Sequence, residues 1–148
     1  MKKKMRHPVW ILVAIGVAVA FSAFFFSQNK QTKIADFVIT NESELESIAL
    51  NCLDGDETIA EYKGVEVGGV YSGEHQIVQF DYSGSGVVPS TTYYGFYYSR
   101  DNVPTAFQNA EIELVSASDD EWTWDDGTDN GGLTKRITEC WFYYEARF

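Results

Sequence analysis

The chain has 148 residues, 45 % of them hydrophobic and 16 % aromatic, with a formal net charge of −11. That length suits one domain, and the apolar share excludes a disordered chain. From Ile34 onward there are 22 acids against five bases, a balance of −17, which argues against nucleic-acid binding and for cations or basic protein surfaces as partners.

Residues 1–8 form a basic head with Lys2, Lys3, Lys4 and Arg6, and residues 9–26 carry no charge. Eighteen residues at a helical rise of about 1.5 Å reach roughly 27 Å, close to the hydrocarbon thickness of a bilayer. Pro8 suits a first helical turn and Trp10 an interfacial position. Four bases precede the run and Lys30 and Lys33 follow it, so the expected topology is amino end in the cytoplasm and remainder outside. A cleavable signal peptide is the competing reading, with Ala18-Val19-Ala20 as its A-x-A site. The apolar run continues through Phe26, which favours a retained signal-anchor in the membrane of a bacterial cell envelope.

Residues 27–40 read as a polar spacer followed by a first strand or more stalk. From 41 to 148 the pattern is that of an acidic extracytoplasmic α+β domain. Thr40 or Asn41 is a candidate cap, and Glu42, Glu44 and Glu46 complement a helix dipole. Leu45, Ile48, Ala49 and Cys52 recur at three- and four-residue spacing, and Gly55 ends the helix. Val65–Tyr71 and Gln76–Tyr82 form a hairpin about the turn Ser72–His75. Glycines and Pro89 in residues 83–90 interrupt the strand pattern. Thr91–Ser99 resumes it, with Tyr94, Phe96 and Tyr98 on one face and Tyr93, Gly95 and Tyr97 on the other. Residues 111–115 alternate with Ile112 and Leu114 inside, and Trp122 and Trp124 share a face. Residues 134–148 read as one long strand with Cys140, Phe142, Tyr144, Ala146 and Phe148 on one side. The predicted fold is a transmembrane helix followed by a small antiparallel sheet of about six strands with one packed helix.

Cys52 and Cys140 are the only cysteines. Outside the cytoplasm they predict a disulfide closing an 89-residue loop, worth at most about 4–5 kcal/mol on the chain-entropy model.

Asp119–Gly132 holds six acids, two tryptophans and no base. An EF-hand register beginning at Asp126 places Gly131 correctly at position 6 but Ile137 where the bidentate glutamate belongs, so that motif fails. Asp125, Asp126 and Asp129 remain a weak oxygen site for Ca²⁺, against the plainer reading of a turn built by Asp, Asn and Gly. No other cofactor is implied. His75 stands alone in a predicted turn, no G-x-S-x-G elbow or P-loop lysine is present, and no catalytic signature emerges.

The aromatic content exceeds what one small core needs, so Tyr93, Tyr97, Trp141 and Tyr143 are expected on the outer sheet face, with Trp122 and Trp124 as further binding candidates. The expected function is a non-catalytic, membrane-anchored interaction module engaging a basic protein or peptide at the envelope, a description that an immunity or accessory role fits by analogy. The alternative is a cell-wall glycan binder or hydrolase using Trp122, Trp124 and nearby acids.

Overall fold

Residues 29–40 are helical, including the apolar stretch expected as spacer or strand. In the computed structural model the described residues are 29–55, 60–87 and 90–148. The chain divides into two compact units, Met1–Lys33 and Ile34–Phe148. The uncharged run 9–26, and with it the proposed membrane anchor, lies outside the described residues. Among those residues no helix is long and apolar enough to cross a membrane.

In the second unit, the end of this first helix (α1, 29–40) is followed by α2, Glu42–Asp54. Ile34 and Val38, one turn apart, are buried. That i, i+4 pair is why the segment is helical rather than extended: as a helix it places both side chains on one face. Asn41 stands at the junction and does not cap α2 with its side chain. Its amide instead donates to the Phe37 carbonyl at 2.7 Å, closing the helix before it, while its Oδ1 accepts from Lys63 Nζ at 2.6 Å. Gly55 terminates α2 in the left-handed region, as predicted, and Leu45, Ile48, Ala49 and Cys52 form its buried face.

Eight strands follow: β1 Glu61–Tyr62, β2 Val65–Tyr71, β3 Ile77–Val87, β4 Ser90–Ser99, β5 Val115–Ser118, β6 Glu121–Asp125, β7 Gly131–Thr138 and β8 Trp141–Arg147. All belong to one antiparallel sheet of order β1-β2-β3-β4-β8-β7-β6-β5, so two four-stranded meanders meet at the central β4–β8 pair. This is the α+β class expected, with more strands than the turn spacing suggested. The glycine-rich 83–87 stretch does not interrupt β3 but extends it along β4.

Residues 134–148 fold as two strands, not one. A turn at Glu139–Cys140 separates β7 from β8, and Cys140 takes φ 64°, a position that favours glycine. Asn102 Oδ1 accepts from the Cys140 N–H at 2.9 Å, and the Cys140 carbonyl accepts from Ser99 N–H at 2.8 Å. Cys140 therefore leaves the face of Phe142 and Tyr144 and packs beside the helix-side core that also contains Cys52. The predicted disulfide is not formed: Cys52 and Cys140 are unbridged. Burial, then the neighbouring Glu139 and Glu46 carboxylates, push the Cys140 thiol above its usual range.

Both faces of the sheet are covered at its centre. On one, α1 and α2 pack over Val78, Phe80, Phe96, Tyr98, Trp141 and Tyr143. On the other lie Ile77, Tyr97, Phe142, Tyr144 and Ala146. Their cover is the connection from β4 to β5, residues 100–114, which must run from the centre of the sheet to its far edge. Ala106, Phe107, Ile112 and Leu114 of this connection pack against the second core. Ile112 and Leu114 thus point inward as predicted, but from irregular chain rather than from a strand.

Side chains pin the crossing to the sheet. The Tyr97 hydroxyl accepts from Thr105 N–H at 2.8 Å and lies 2.8 Å from Thr134 Oγ1, which itself donates to the Tyr143 carbonyl at 3.1 Å. Buried Gln79 accepts from Gln108 N–H at 3.3 Å. Asn109 Nδ2 donates to the His75 carbonyl at 2.8 Å. The sheet edges are guarded: β1 has two residues, and β5 is bulged between Ser116 and Ser118.

Candidate functional site

A row of three carboxylates is set up by strand register. Glu61 lies opposite Glu66, and Glu66 opposite Asp81, so the acids stand side by side across β1, β2 and β3. Residues directly opposite in an antiparallel pair share a face and have Cα atoms about 4.5–5.5 Å apart. The β1–β2 turn is Lys63–Gly64, with φ of 50° and 83°, the left-handed pair of a tight hairpin. Register then shifts at Gly68, between Val67 and Gly69, and this bulge places Asp81 rather than Tyr82 opposite Glu66.

Asp81 is held in place. Its Oδ1 accepts from Gln79 Nε2 at 2.8 Å and from the Tyr144 hydroxyl. Tyr144 reaches it across Gly95, which pairs with Asp81 on one side and Tyr144 on the other. A Cβ at Gly95 would collide with the Phe80 carbonyl oxygen and stand 2.6 Å from the Tyr144 hydroxyl, so only glycine leaves that path open. A Cβ at Gly68 would likewise collide with the Asp81 carboxylate. Burial, then the charge of Asp81, push the Tyr144 hydroxyl far above its ordinary range, which keeps it a hydrogen-bond donor. The Tyr71 hydroxyl is raised for the same two reasons.

The row has no counter-ion among the described residues. Arg100 pairs with Asp54, Lys135 with Glu121 and Arg136 with Asp120. Lys63 follows Tyr62 and turns to Asn41, toward the helix side. Like charges directly opposite in a sheet are destabilising, and among the described residues no base forms an ion pair with them.

The three acids line one open cleft of about 590 Å³ together with Tyr82, Ser83, Tyr93 and Tyr144. It lies where β3 runs past the start of β2, because Ser83–Val87 pair with β4 alone. Carboxylates and aromatic rings in one hollow are the chemistry that holds an organic cation, by ion pairing and by attraction to the ring faces. Among the described residues no group of Asp, Glu, His or Cys converges closely enough to hold a metal ion.

The residues expected to form a binding face are placed differently. Tyr97, Trp141 and Tyr143 are buried, because at their positions in the centre of the sheet a layer packs on each side. Trp122 and Trp124 do share a face, but it is the one under the crossing connection, and Trp124 is 5 % exposed. Of the six, Tyr93 is the exposed one, at 42 %, and it alone lines the acidic cleft.

The acidic loop after β6 uses its carboxylates on itself. Asp126 accepts from Thr128 N–H at 2.9 Å, from the Thr128 hydroxyl at 2.5 Å and from Asn130 Nδ2 at 2.8 Å. Asp125 accepts from Gly127 N–H at 2.7 Å. The Thr128 and Asn130 side-chain bonds hold the Asp126 carboxyl below its ordinary range. These are turn contacts of the kind Asp and Asn make locally. His75 is not wholly alone: its Nδ1 is 3.1 Å from Asp101 Oδ2 in an exposed pair.

No family model matches the chain, and no curated protein or solved structure is similar to it.

Proposed function

We propose that the domain from Ile34 to Phe148 is a non-catalytic recognition module that takes a basic side chain of a partner protein or peptide into the Glu61–Glu66–Asp81 cleft. One observation carries the reading: three carboxylates are registered side by side, two glycines keep the space for one of them, and among the described residues no base forms an ion pair with them. An uncompensated row of this kind lowers stability, and an incoming cation supplies the missing charge. Aromatic walls from Tyr82, Tyr93 and Tyr144 suit a lysine or arginine, whose charge is carried on an apolar stem. The strongly acidic remainder of the domain steers such a partner toward the surface. The uncharged run 9–26 supports a single membrane-embedded helix, amino end in the cytoplasm, holding the module outside at the cell envelope.

The test uses the full chain and a short lysine peptide blocked at both ends, followed by fluorescence anisotropy. Affinity falls steeply as salt rises from 0.05 to about 0.5 M, since exposed ion pairs are screened beyond a Debye length of about 4–14 Å across that range. Glu66→Gln weakens it further. Salt-insensitive retention on peptidoglycan, with no affinity for the peptide, would contradict the reading. Protease added to intact cells separately tests the tether, which predicts that the domain is digested without breaching the membrane.

A further inference from the structure

The cleft is bounded on one side by an aromatic ridge. Tyr93 stacks on Phe107 with ring centroids 6.1 Å apart and planes 20° from parallel, and meets Phe148 edge-on at 5.9 Å. Phe107 and Phe148 are 5.5 Å apart, so the three rings form a closed triad. Tyr93 and Phe148 are 42 % and 40 % exposed, and they are the two large exposed hydrophobic side chains among the described residues whose rings touch each other. Beyond the ridge lies a second, smaller hollow of about 230 Å³, lined by Phe107, Phe148, Trp124, Ile112 and Asp126 among others. Tyr93 therefore belongs to the acidic cleft, and its two ring neighbours to an apolar groove.

The ridge is rigid. The backbone of Phe148 exchanges both hydrogen bonds with Thr91, each at 2.9 Å, which continues the β4 pairing past the end of β8. Phe107 is backed by Tyr144 at 5.2 Å, the same residue whose hydroxyl holds Asp81. Aromatic rings fixed in advance give up little conformational freedom on binding.

We infer that the ridge and groove receive an apolar side chain standing close along the chain to the basic one, so that the partner is a peptide segment pairing a lysine or arginine with an aliphatic or aromatic residue. This rests on the cation-cleft reading. Charge complementarity decides the occupant: Glu61, Glu66 and Asp81 border the ridge on one side and Asp126 on the other, and beside Phe148 the base Arg147 is matched by Asp129, so the acidic excess selects a cationic segment. Crossing two ring widths takes about two to four residues of extended chain at roughly 3.3 Å each.

The test compares two labelled peptides of equal charge on the full chain. One carries lysine among glycines, and the other carries the same lysine with leucine or tryptophan three residues away. The expected result is about a 10-fold or greater preference for the apolar peptide, from burial of one large side chain. Phe148→Ala and, separately, Tyr93→Ala should collapse that ratio toward one, with far-UV circular dichroism showing that each variant folds. Equal affinity for the two peptides, both weakened by Glu66→Gln, would overturn the ridge while leaving the cleft standing. Absence of binding by either peptide would overturn both. A preference that survives both aromatic substitutions would put the apolar contact elsewhere. A change of oligomeric state by light scattering in Phe148→Ala would make the ridge a contact between copies of this chain and would also overturn the inference.

Discussion

Neutralising the middle acid of the row should raise stability and lower cation affinity together. Glu66 faces a carboxylate on each side, Glu61 and Asp81, through consecutive cross-strand pairs. Two unit charges about 5.5 Å apart in water repel by about 0.8 kcal/mol, and a Debye length of about 8 Å at 0.15 M salt halves this to roughly 0.4. Glu66→Gln removes both contacts, a gain of about 0.8 kcal/mol, while Glu61→Gln removes one and gains about half as much. For a domain of this size the first change raises Tm by about 3 °C. At 1 M salt, where the screening length is about 3 Å, the gain shrinks to roughly 0.2 kcal/mol. Thermal denaturation of wild type and both variants at the two salt concentrations reads all of this. A neutral or destabilising Glu66→Gln, or a gain that persists undiminished in 1 M salt, would refute the electrostatic argument.

Other consequences follow from the same contacts. Tyr97→Phe leaves the Thr105 N–H without its acceptor beneath the crossing connection and should cost about 1–3 kcal/mol in chemical denaturation, whereas Tyr93→Phe at the surface should change stability by less than about 0.5. Burial raises the Tyr97 and Tyr144 hydroxyls above 10.0, so the folded state holds their protons more tightly than the unfolded state. The stability this confers is complete below about pH 10 and is lost as pH rises beyond it; melting temperatures should fall from that point, less steeply in Tyr97→Phe. Millimolar calcium should leave Tm unchanged, because Asp125 and Asp126 already accept hydrogen bonds from their own loop; a clear rise would show that these acids and Asp129 rearrange around the ion.

Much of the architecture was legible wherever local chemistry and tertiary packing agreed. The α2 helix carries its acids at the start, its apolar stripe and its Gly55 stop, and it folds as read. The two faces of Thr91–Ser99 separate as alternation requires, with Phe96 and Tyr98 under the helices and Tyr97 on the other side. Elsewhere a residue did a job that its type does not advertise. Cys140 occupies a left-handed turn position without being glycine, so 134–148 reads as one strand until Asn102 is seen fixing the turn. Ile34 and Val38 are β-branched in a helix, a preference overridden by burial. The expected outer aromatic face presupposed a one-layered sheet. That layering was not readable, because only the strand order shows that 100–114 must cross the sheet.

The acidic row is hidden in the sequence by a single-residue shift of register. Extending the pairing of Tyr71 with Ile77 without a bulge would set Glu66 opposite Tyr82, and no row would appear. The Gly68-Gly69 pair inside an otherwise regular strand is the signal that a register shift occurs there.

The most direct measurement is zero-length carbodiimide cross-linking of a lysine peptide to the full chain, with the joined residues located by mass spectrometry. Amide links are expected to concentrate on Glu61, Glu66 and Asp81 and to be suppressed by added salt. Links spread over the acids in proportion to their exposure, or gathered on Asp119–Asp129 instead, would contradict the cleft reading.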